Sequence, residues 1–530
     1  MKRTSLIFSL LPLVLASCGS SDPLPKGDGT YAIDETVSNE GGSLSYEIFV
    51  RSFYDADGDG IGDFDGILAK ADYLKQLGVG NIWLLPIFPS PSYHGYDTSN
   101  FYKTNADYGS LNSFKAMVKG LKEKGVRVTL DIALNHCSPR ISWFQESYND
   151  FLNGDTSPES KADWFIWSTT KKSGYAQWGD LYYECSDFNT SSMADFNWDS
   201  QTLREELKDV LLYWMNMGIA GFRLDAVRYF YEGSTSKNVA VLRELYEAVA
   251  KEYPDVYFVG ENWTTGSDYY DYFASGIPSF FQFATSISAT TGTTIISAAK
   301  GYSTGDSFVS TVAESEKKVK EKNPKGYSSY FISNHDQDRS SKSLEGDDAK
   351  FAASITYLLP GTPYIYYGEE IGLLGVRGAE PTDVMRRLPM IWSETDKTGE
   401  CGFPEKSNLY LMSEMEQVKK GALDLLKEPM SLTNHYRKLG QVRNKIPWIK
   451  DAVIKAIETG TERFFAYTLT GEGHSVLVVH NGSEEIASLD VSSASPVSIL
   501  DSIDTSNFHP KLEGGSITLG GRSSAVMTIS

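Results

Sequence analysis

Cysteine is nearly absent from this chain: there are four in 530 residues. That scarcity excludes a fold stapled by disulfides. Beyond Cys18 only Cys137, Cys185 and Cys401 remain. Outside the cell an odd number leaves at least one unpaired, and Cys137 and Cys185, which share one stretch, are the two that could bridge. Apart from the N-terminus, apolar runs are too short to cross a bilayer, which excludes a membrane-spanning helix. Basic residues are outnumbered, 49 Lys and Arg against 69 Asp and Glu, for a net charge of −20. Such a surface repels phosphate backbones and excludes a nucleic-acid partner. It does not select a neutral substrate; it only fails to oppose one. A serine-nucleophile motif, a phosphate-cradling glycine loop and a zinc-ligand spacing are also missing.

The N-terminus reads as an export signal and not as part of the fold. Lys2 and Arg3 precede an apolar segment, residues 5–15, that is too short to span a bilayer. Leu15-Ala16-Ser17-Cys18 then resembles a bacterial lipobox, so that 1–18 is a lipoprotein signal and Cys18 the lipidated first mature residue. The alternative is an ordinary secretory signal with an incidental cysteine. Residues 19–42, rich in Gly, Ser, Pro and acidic groups, read as a flexible tether. The expected location is the face of a bacterial membrane, at the cell surface or in the periplasm.

Strand and helix patterns then alternate. Candidate strands cover 45–53, 81–88, 126–134, 221–227, 256–261, 279–283, 328–334 and 363–368, and amphipathic segments such as 113–124, 203–217, 241–253 and 350–359 lie between them. Eight such units predict a parallel sheet with helices outside, an α/β fold. The stretch 137–197 after the third strand is too long for a loop and predicts an inserted subdomain. It holds Trp143, Phe144, Trp164, Phe165, Trp167, Trp178, Tyr182 and Tyr183; most are expected in its core, with about two facing a ligand. Beyond a helix near 434–443 the runs 464–469, 475–481, 485–491 and 516–529 predict an all-β C-terminal domain.

Four apolar runs end in polar clusters: Asp131-Ile132-Ala133-Leu134-Asn135-His136, Gly221-Phe222-Arg223-Leu224-Asp225, Val259-Gly260-Glu261-Asn262 and Phe331-Ile332-Ser333-Asn334-His335-Asp336. Buried parallel strands that deliver their last side chains to one rim build the active site of a (β/α)8 barrel. Three carboxylates with two histidines and an arginine suit cleavage of an acetal, which needs one ionised and one protonated group at the same pH. Arg223, two residues before Asp225, shares its side of the strand and favours the ionised carboxylate. That makes Asp225 the candidate nucleophile. Glu261 has no basic neighbour in sequence and is the candidate proton donor. Structural ion pairs in a barrel wall would explain any one segment, but not all four in this order.

As a set, these segments resemble the four sequence regions of the α-amylase family, glycoside hydrolase family 13, over nearly the whole chain from about residue 42. The resemblance implies a (β/α)8 TIM barrel from 43–136 and 198–449, an inserted subdomain at 137–197 and a C-terminal β-sandwich at 450–530. It implies that Asp225 is the nucleophile, Glu261 the general acid/base and Asp336 the third carboxylate, with Arg223, His136 and His335 in support and Asp131 as framework. Tyr93-His94-Gly95-Tyr96-Asp97 matches a further segment, in which Tyr96 stacks on the reacting glucose and His94 hydrogen-bonds it. Met193-Ala194-Asp195-Phe196-Asn197 resembles the fifth region of the group between α-amylases and oligo-1,6-glucosidases, with Ala194 and Phe196 as departures. The implied activity is internal cleavage of α-1,4 bonds in starch, glycogen or maltooligosaccharides, because Tyr93 stands where exo-acting members carry an acidic residue. Against it, Arg228-Tyr229 replaces the Lys-His pair common in endo-acting members. The alternatives are an α-glucosidase or oligo-1,6-glucosidase, a neopullulanase-like or transglycosylating enzyme, and a starch-binding lipoprotein without catalysis. No partner protein is read from the chain, and a monomer is favoured.

Asp55-Ala56-Asp57-Gly58-Asp59-Gly60-Ile61-Gly62-Asp63 places carboxylates at alternate positions between glycines. Hard oxygens in a flexible turn suit Ca²⁺, with Asp55, Asp57, Asp59, Asp63 and the Ile61 carbonyl as ligands. The pattern is EF-hand-like up to its ninth position but has Gly66 where a bidentate glutamate would close it. The expected role is structural. Asn135 and Asp195 match two ligands of a second family site, where Tyr229 replaces the usual histidine carbonyl.

Overall fold

The computed structural model describes residues 31–34, 36–185, 188, 190–286, 293–378, 383–404, 417–506 and 508–530. Cys18, the signal segment and the first part of the expected tether lie outside the described residues. Eight parallel strands close into a barrel in sequence order: β1 (Ser45–Ile48), β2 (Asn81–Leu84), β3 (Arg127–Ile132), β4 (Gly221–Leu224), β5 (Tyr257–Gly260), β6 (Ser279–Phe281), β7 (Tyr327–Phe331) and β8 (Thr362–Tyr366). Side chains along these strands are almost all buried, as a sheet covered on one face by helices and filled on the other requires. The helices repeat their apolar positions at helical spacing. On Leu111–Glu123 the buried face is Phe114, Met117, Val118 and Leu121, and the Ser110 hydroxyl caps the first turn by accepting the Ser113 amide. Helix Gln201–Met215 buries Leu203, Leu207, Val210, Leu211 and Trp214, again behind a serine cap, Ser200.

Most barrel strands end before the apolar runs that announce them, yet backbone bonds continue past those ends, with the Asp225 amide on the Ile132 carbonyl at 3.0 Å and the Glu261 amide on the Leu224 carbonyl at 2.9 Å. Between β3 and β4 stands the inserted unit. A helix, Ser142–Asn153, packs on a three-stranded sheet of Trp167–Ser168, Leu181–Glu184 and Tyr175–Trp178, and His136–Cys137 pairs with Ala194–Asp195. Phe144 sits at its centre, with Phe165, Trp167, Trp178 and Tyr183 ring centroids 4.9–5.3 Å away. Cys137 and Cys185 are both buried and unbridged.

The C-terminal unit is antiparallel throughout. One sheet runs Val453–Ala456, Phe464–Gly471, His474–Asn481, Ser524–Ile529 and Pro496–Ile503, and the other Ala487–Asp490, Ser516–Leu519 and Lys511–Glu513. Phe464, Leu477, Val479, Leu489, Ile517 and Met527 are buried between them. Arg522 fastens this unit to the barrel, with Asp348 at 2.8 Å and the Ala299 carbonyl at 2.7 Å. Part of the stretch expected to be a tether is docked: Tyr31 is buried and its hydroxyl meets His435 at 2.6 Å, while Asp34 exchanges hydrogen bonds with Gln441. Composition missed this because one aromatic among small polar residues is enough to seat the segment on helix Leu432–Asn444.

Candidate active site

Arg223 organises the rim. It lies on β4, almost fully buried, and its Nη1 donates to Asp131 Oδ1 at 2.9 Å and to Asp225 Oδ1 at 2.5 Å. Its Nη2 reaches Glu261 Oε1 at 3.0 Å. A planar guanidinium thus holds carboxylates delivered by β3, β4 and β5. β4 and β5 approach closely at Gly221, where a Cβ would stand 1.7 Å from the Tyr257 carbonyl oxygen; only glycine fits. Just past Asp225 the chain turns through Ala226, which sits at φ +49°, a region that alanine seldom adopts. That turn brings the Ala226 amide onto Glu261 Oε2 at 3.0 Å. A local strain is thus tied to the orientation of the second carboxylate.

Asp336, beyond β7, forms the opposite wall. His335 Nε2 lies 3.0 Å from Asp336 Oδ2 and Arg387 Nη2 lies 3.0 Å from Oδ1. The other ring nitrogen of His335 is bonded to Glu47 Oε1 on β1. Tyr96 closes the ring of contacts, its hydroxyl donating to Asp131 Oδ2 at 2.9 Å and meeting His335 Nε2 at 2.7 Å. Trp83 lies below, donating to Asp131 Oδ2 at 3.1 Å, with the Arg223 guanidinium 5.1 Å from its ring. His94 stacks beside Tyr96, centroids 6.2 Å apart, and its Nδ1 accepts the Tyr96 amide at 3.1 Å. His136 is buried, its ring 4.9 Å from Phe188.

The electrostatics divide the carboxylates. Burial pushes Glu261 up to about 8, helped by Asp225 and Asp336 and resisted by Arg223. Glu261 is therefore protonated at neutral pH. Burial acts on Asp336 in the same direction, but His335 and Arg387 outweigh it and hold Asp336 well below the usual carboxylate range. Burial opposes charge on His335, yet Asp336 and Glu47 win and raise it to about 9. Burial also lifts Asp131 to about 6 against the pull of Arg223. One acid kept neutral beside another kept ionised is the division that acid–base cleavage uses.

The structure thus gathers Asp225, Glu261, Asp336, Arg223, His335, Tyr96, His94 and His136 at one rim. Arg387 and Glu47 were not anticipated. Arg387 lies some twenty positions past the end of β8, and nothing local marks it among the basic residues. Glu47 did leave a signal, an acid inside the apolar strand Ser45-Tyr46-Glu47-Ile48. Two ring faces stand exposed nearby: Trp263, two residues past Glu261, stacks on Phe283 at 4.7 Å, and Phe188 leans toward Tyr229 at 5.6 Å.

The acidic loop lies between β1 and helix Phe64–Ala69. One carboxylate oxygen from each of Asp55, Asp57 and Asp63 falls within a span of 4.8 Å. Asp59 falls outside this cluster, a correction to the expected ligand set; its Oδ1 accepts the Ile61 amide at 2.7 Å. Asp55 accepts from Gly58 and Gly60, and Asp63 from Ala56 and Gly66. These oxygens keep a second lone pair each, so the hydrogen bonds that shape the loop leave room for a hard cation.

Comparison with known proteins agrees with this geometry. The alpha amylase catalytic-domain model matches residues 47–452. Alpha-amylase 3 of Dictyoglomus thermophilum is 34% identical over 449 residues, covering 83% of this chain and 84% of that protein. An oligo-1,6-glucosidase of Parageobacillus thermoglucosidasius is 27% identical, covering 84% and 90%. Among solved structures, Eubacterium rectale Amy13B superposes with a TM-score of 0.85 at 31% identity, covering 94% of this chain and 97% of that one. A catalytic-domain match across most of the chain, on a barrel with three carboxylates at its C-terminal rim, makes this protein a glycosidase of the α-amylase family, glycoside hydrolase family 13.

Proposed function

We propose that this enzyme is a retaining α-amylase that cleaves internal α-1,4 bonds of starch, glycogen or maltooligosaccharides. The observation that carries the reading is the shared guanidinium: Arg223 holds Asp225 and Glu261 side by side, and burial pushes Glu261 up to about 8. Close seating suits a covalent intermediate, for which the carboxyls stand roughly 5–5.5 Å apart. In the first step an Asp225 oxygen attacks the anomeric carbon, and Glu261 gives its proton to the departing glycosidic oxygen. In the second, Glu261 takes a proton from water, whose oxygen displaces Asp225 and restores both groups. Asp336, held ionised by His335 and Arg387, grips sugar hydroxyls and favours the charged transition state. Tyr96 offers its face to the reacting ring.

Internal cleavage is supported by Tyr93, which packs on Phe49 at 5.2 Å and places no carboxylate across the end of the cleft. The exposed faces of Trp263 and Phe188 add platforms for further sugars. Incubation with soluble starch, followed by chromatography of the early products, tests this. Mixed maltooligosaccharides are expected. Glucose alone would replace the reading with an exo-acting α-glucosidase, and products longer than the substrate would replace it with a glucanotransferase. An anchor at Cys18 belongs to the same proposal; a mature N-terminus mapped to any other residue would remove it.

Ca²⁺ in the acidic loop is proposed as a structural ion held by Asp55, Asp57, Asp63 and the Ile61 carbonyl, with no part in the chemistry. Three carboxylates this close repel one another without a cation. An ion that binds only the native state stabilises it by about 2.7 kcal/mol at a hundredfold excess over its dissociation constant. EDTA is therefore expected to lower the melting temperature by a few degrees while sparing initial activity, and Asp57→Ala, at an exposed ligand, to remove that response. A full EDTA response in the variant would place the ion elsewhere.

A further inference from the structure

The opposite end of the barrel carries a cavity of roughly 720 Å³. Its floor is built from the first residues of six strands: Ser45, Asn81, Arg127, Tyr257, Tyr327 and Thr362. The last residues of the strands lead to the carboxylates at the other rim, so nothing in this cavity reaches the reacting bond. A volume of this size falls within the range of sites for small organic ligands.

Its charge runs against that of the whole molecule. In a chain of net charge −20, four cations, Arg127, Lys320, Lys325 and Lys450, line this cavity against only Asp255 and Asp451. Among the described residues only Lys450 of the four has an ion pair, with Asp451 at 3.4 Å. Arg127 spends donors on the carbonyls of Gly80 and Gly42, and Lys450 Nζ lies 4.8 Å from the centre of the Tyr327 ring. Lys320 stands in the last turn of helix Gly305–Lys322, where the helix dipole favours a cation. That reason does not extend to Arg127 on a strand or to Lys325 and Lys450, which come from separate connections. The floor residues Ser45, Asn81 and Thr362 are almost fully buried, and Asn81 already donates to Ser45 Oγ at 3.1 Å and accepts from Thr129 at 3.0 Å, so the cations are the chief groups this cavity offers.

We propose that this cavity is a second binding site, distinct from the hydrolytic cleft, for a small phosphorylated sugar. The cations match a phosphate group. The volume of roughly 720 Å³ exceeds what an oxyanion alone would fill and leaves room for a polyhydroxylated ring beside the phosphate.

Isothermal titration of the full protein with glucose 6-phosphate, glucose and inorganic phosphate at one ionic strength tests this. Glucose 6-phosphate is expected to bind one to one, about tenfold or more tighter than either fragment, and Lys325→Ala with Lys450→Ala to weaken it by about tenfold per lost charge-assisted hydrogen bond. Starch turnover should be unchanged in that variant. Should the double variant fold poorly, Lys325→Glu at an exposed position carries the same expectation. No binding, equal affinity for inorganic phosphate, or affinity unchanged by the substitutions would each overturn the proposal.

Discussion

Asp225→Asn is expected to lower starch turnover by about four to six orders of magnitude while leaving the protein folded. The amide keeps the shape of the carboxylate but cannot form the glycosyl ester. The fold should survive because Arg223 retains Asp131 at 2.9 Å and Glu261 at 3.0 Å when the third partner becomes neutral. Circular dichroism and a melting curve check the second half of the expectation, and a reducing-sugar assay the first. Activity within tenfold of the parent would mean that another group attacks the anomeric carbon.

Glu261→Gln should be nearly as damaging on starch, by about a thousandfold, because a sugar alkoxide leaves poorly without a proton. The loss should shrink sharply on α-maltosyl fluoride, whose leaving group needs no acid. The pH profile gives a second readout. Glu261 is raised to about 8, so it is protonated and competent below that pH and ionised above it. The kcat/KM of the parent on starch should therefore fall as pH rises through about 8, and the variant should lose this limb. An alkaline limb that persists in Glu261→Gln would assign it to another group, His335 being the first to consider because Asp336 and Glu47 raise it to about 9.

The barrel was legible because each strand is a short apolar run closed by turn residues, and because charge at the end of a buried run has few structural uses. Asp225, Glu261 and Asp336 stood out for that reason. What escaped notice depended on contacts between distant segments. Arg387 reaches Asp336 from just past a short 3-10 turn after the eighth strand, Val384–Arg386, with no periodic pattern around it. Glu47 acts through His335, 288 positions away. The strained turn at Ala226 carries no glycine or asparagine to announce a positive φ. In the C-terminal unit, strand Pro496–Ile503 was missed because only its last residue is fully buried and the alternation is faint. The run 516–529 holds two strands, Ser516–Leu519 and Ser524–Ile529, which Gly520 and Gly521 separate and which join different sheets. Asp59 has the spacing of a ligand, but spacing does not carry the side-chain direction that leaves it outside the cluster of Asp55, Asp57 and Asp63.

The central claim is that Asp225 and Glu261 act as a close, retaining pair. Proton NMR of the first product released from a maltooligosaccharide, read before mutarotation sets in, tests it most directly. The account predicts that the new reducing end appears as the α-anomer. A β-anomer at the earliest time points would contradict it, because inversion requires a water between the two carboxylates and leaves no role for Asp225 as nucleophile.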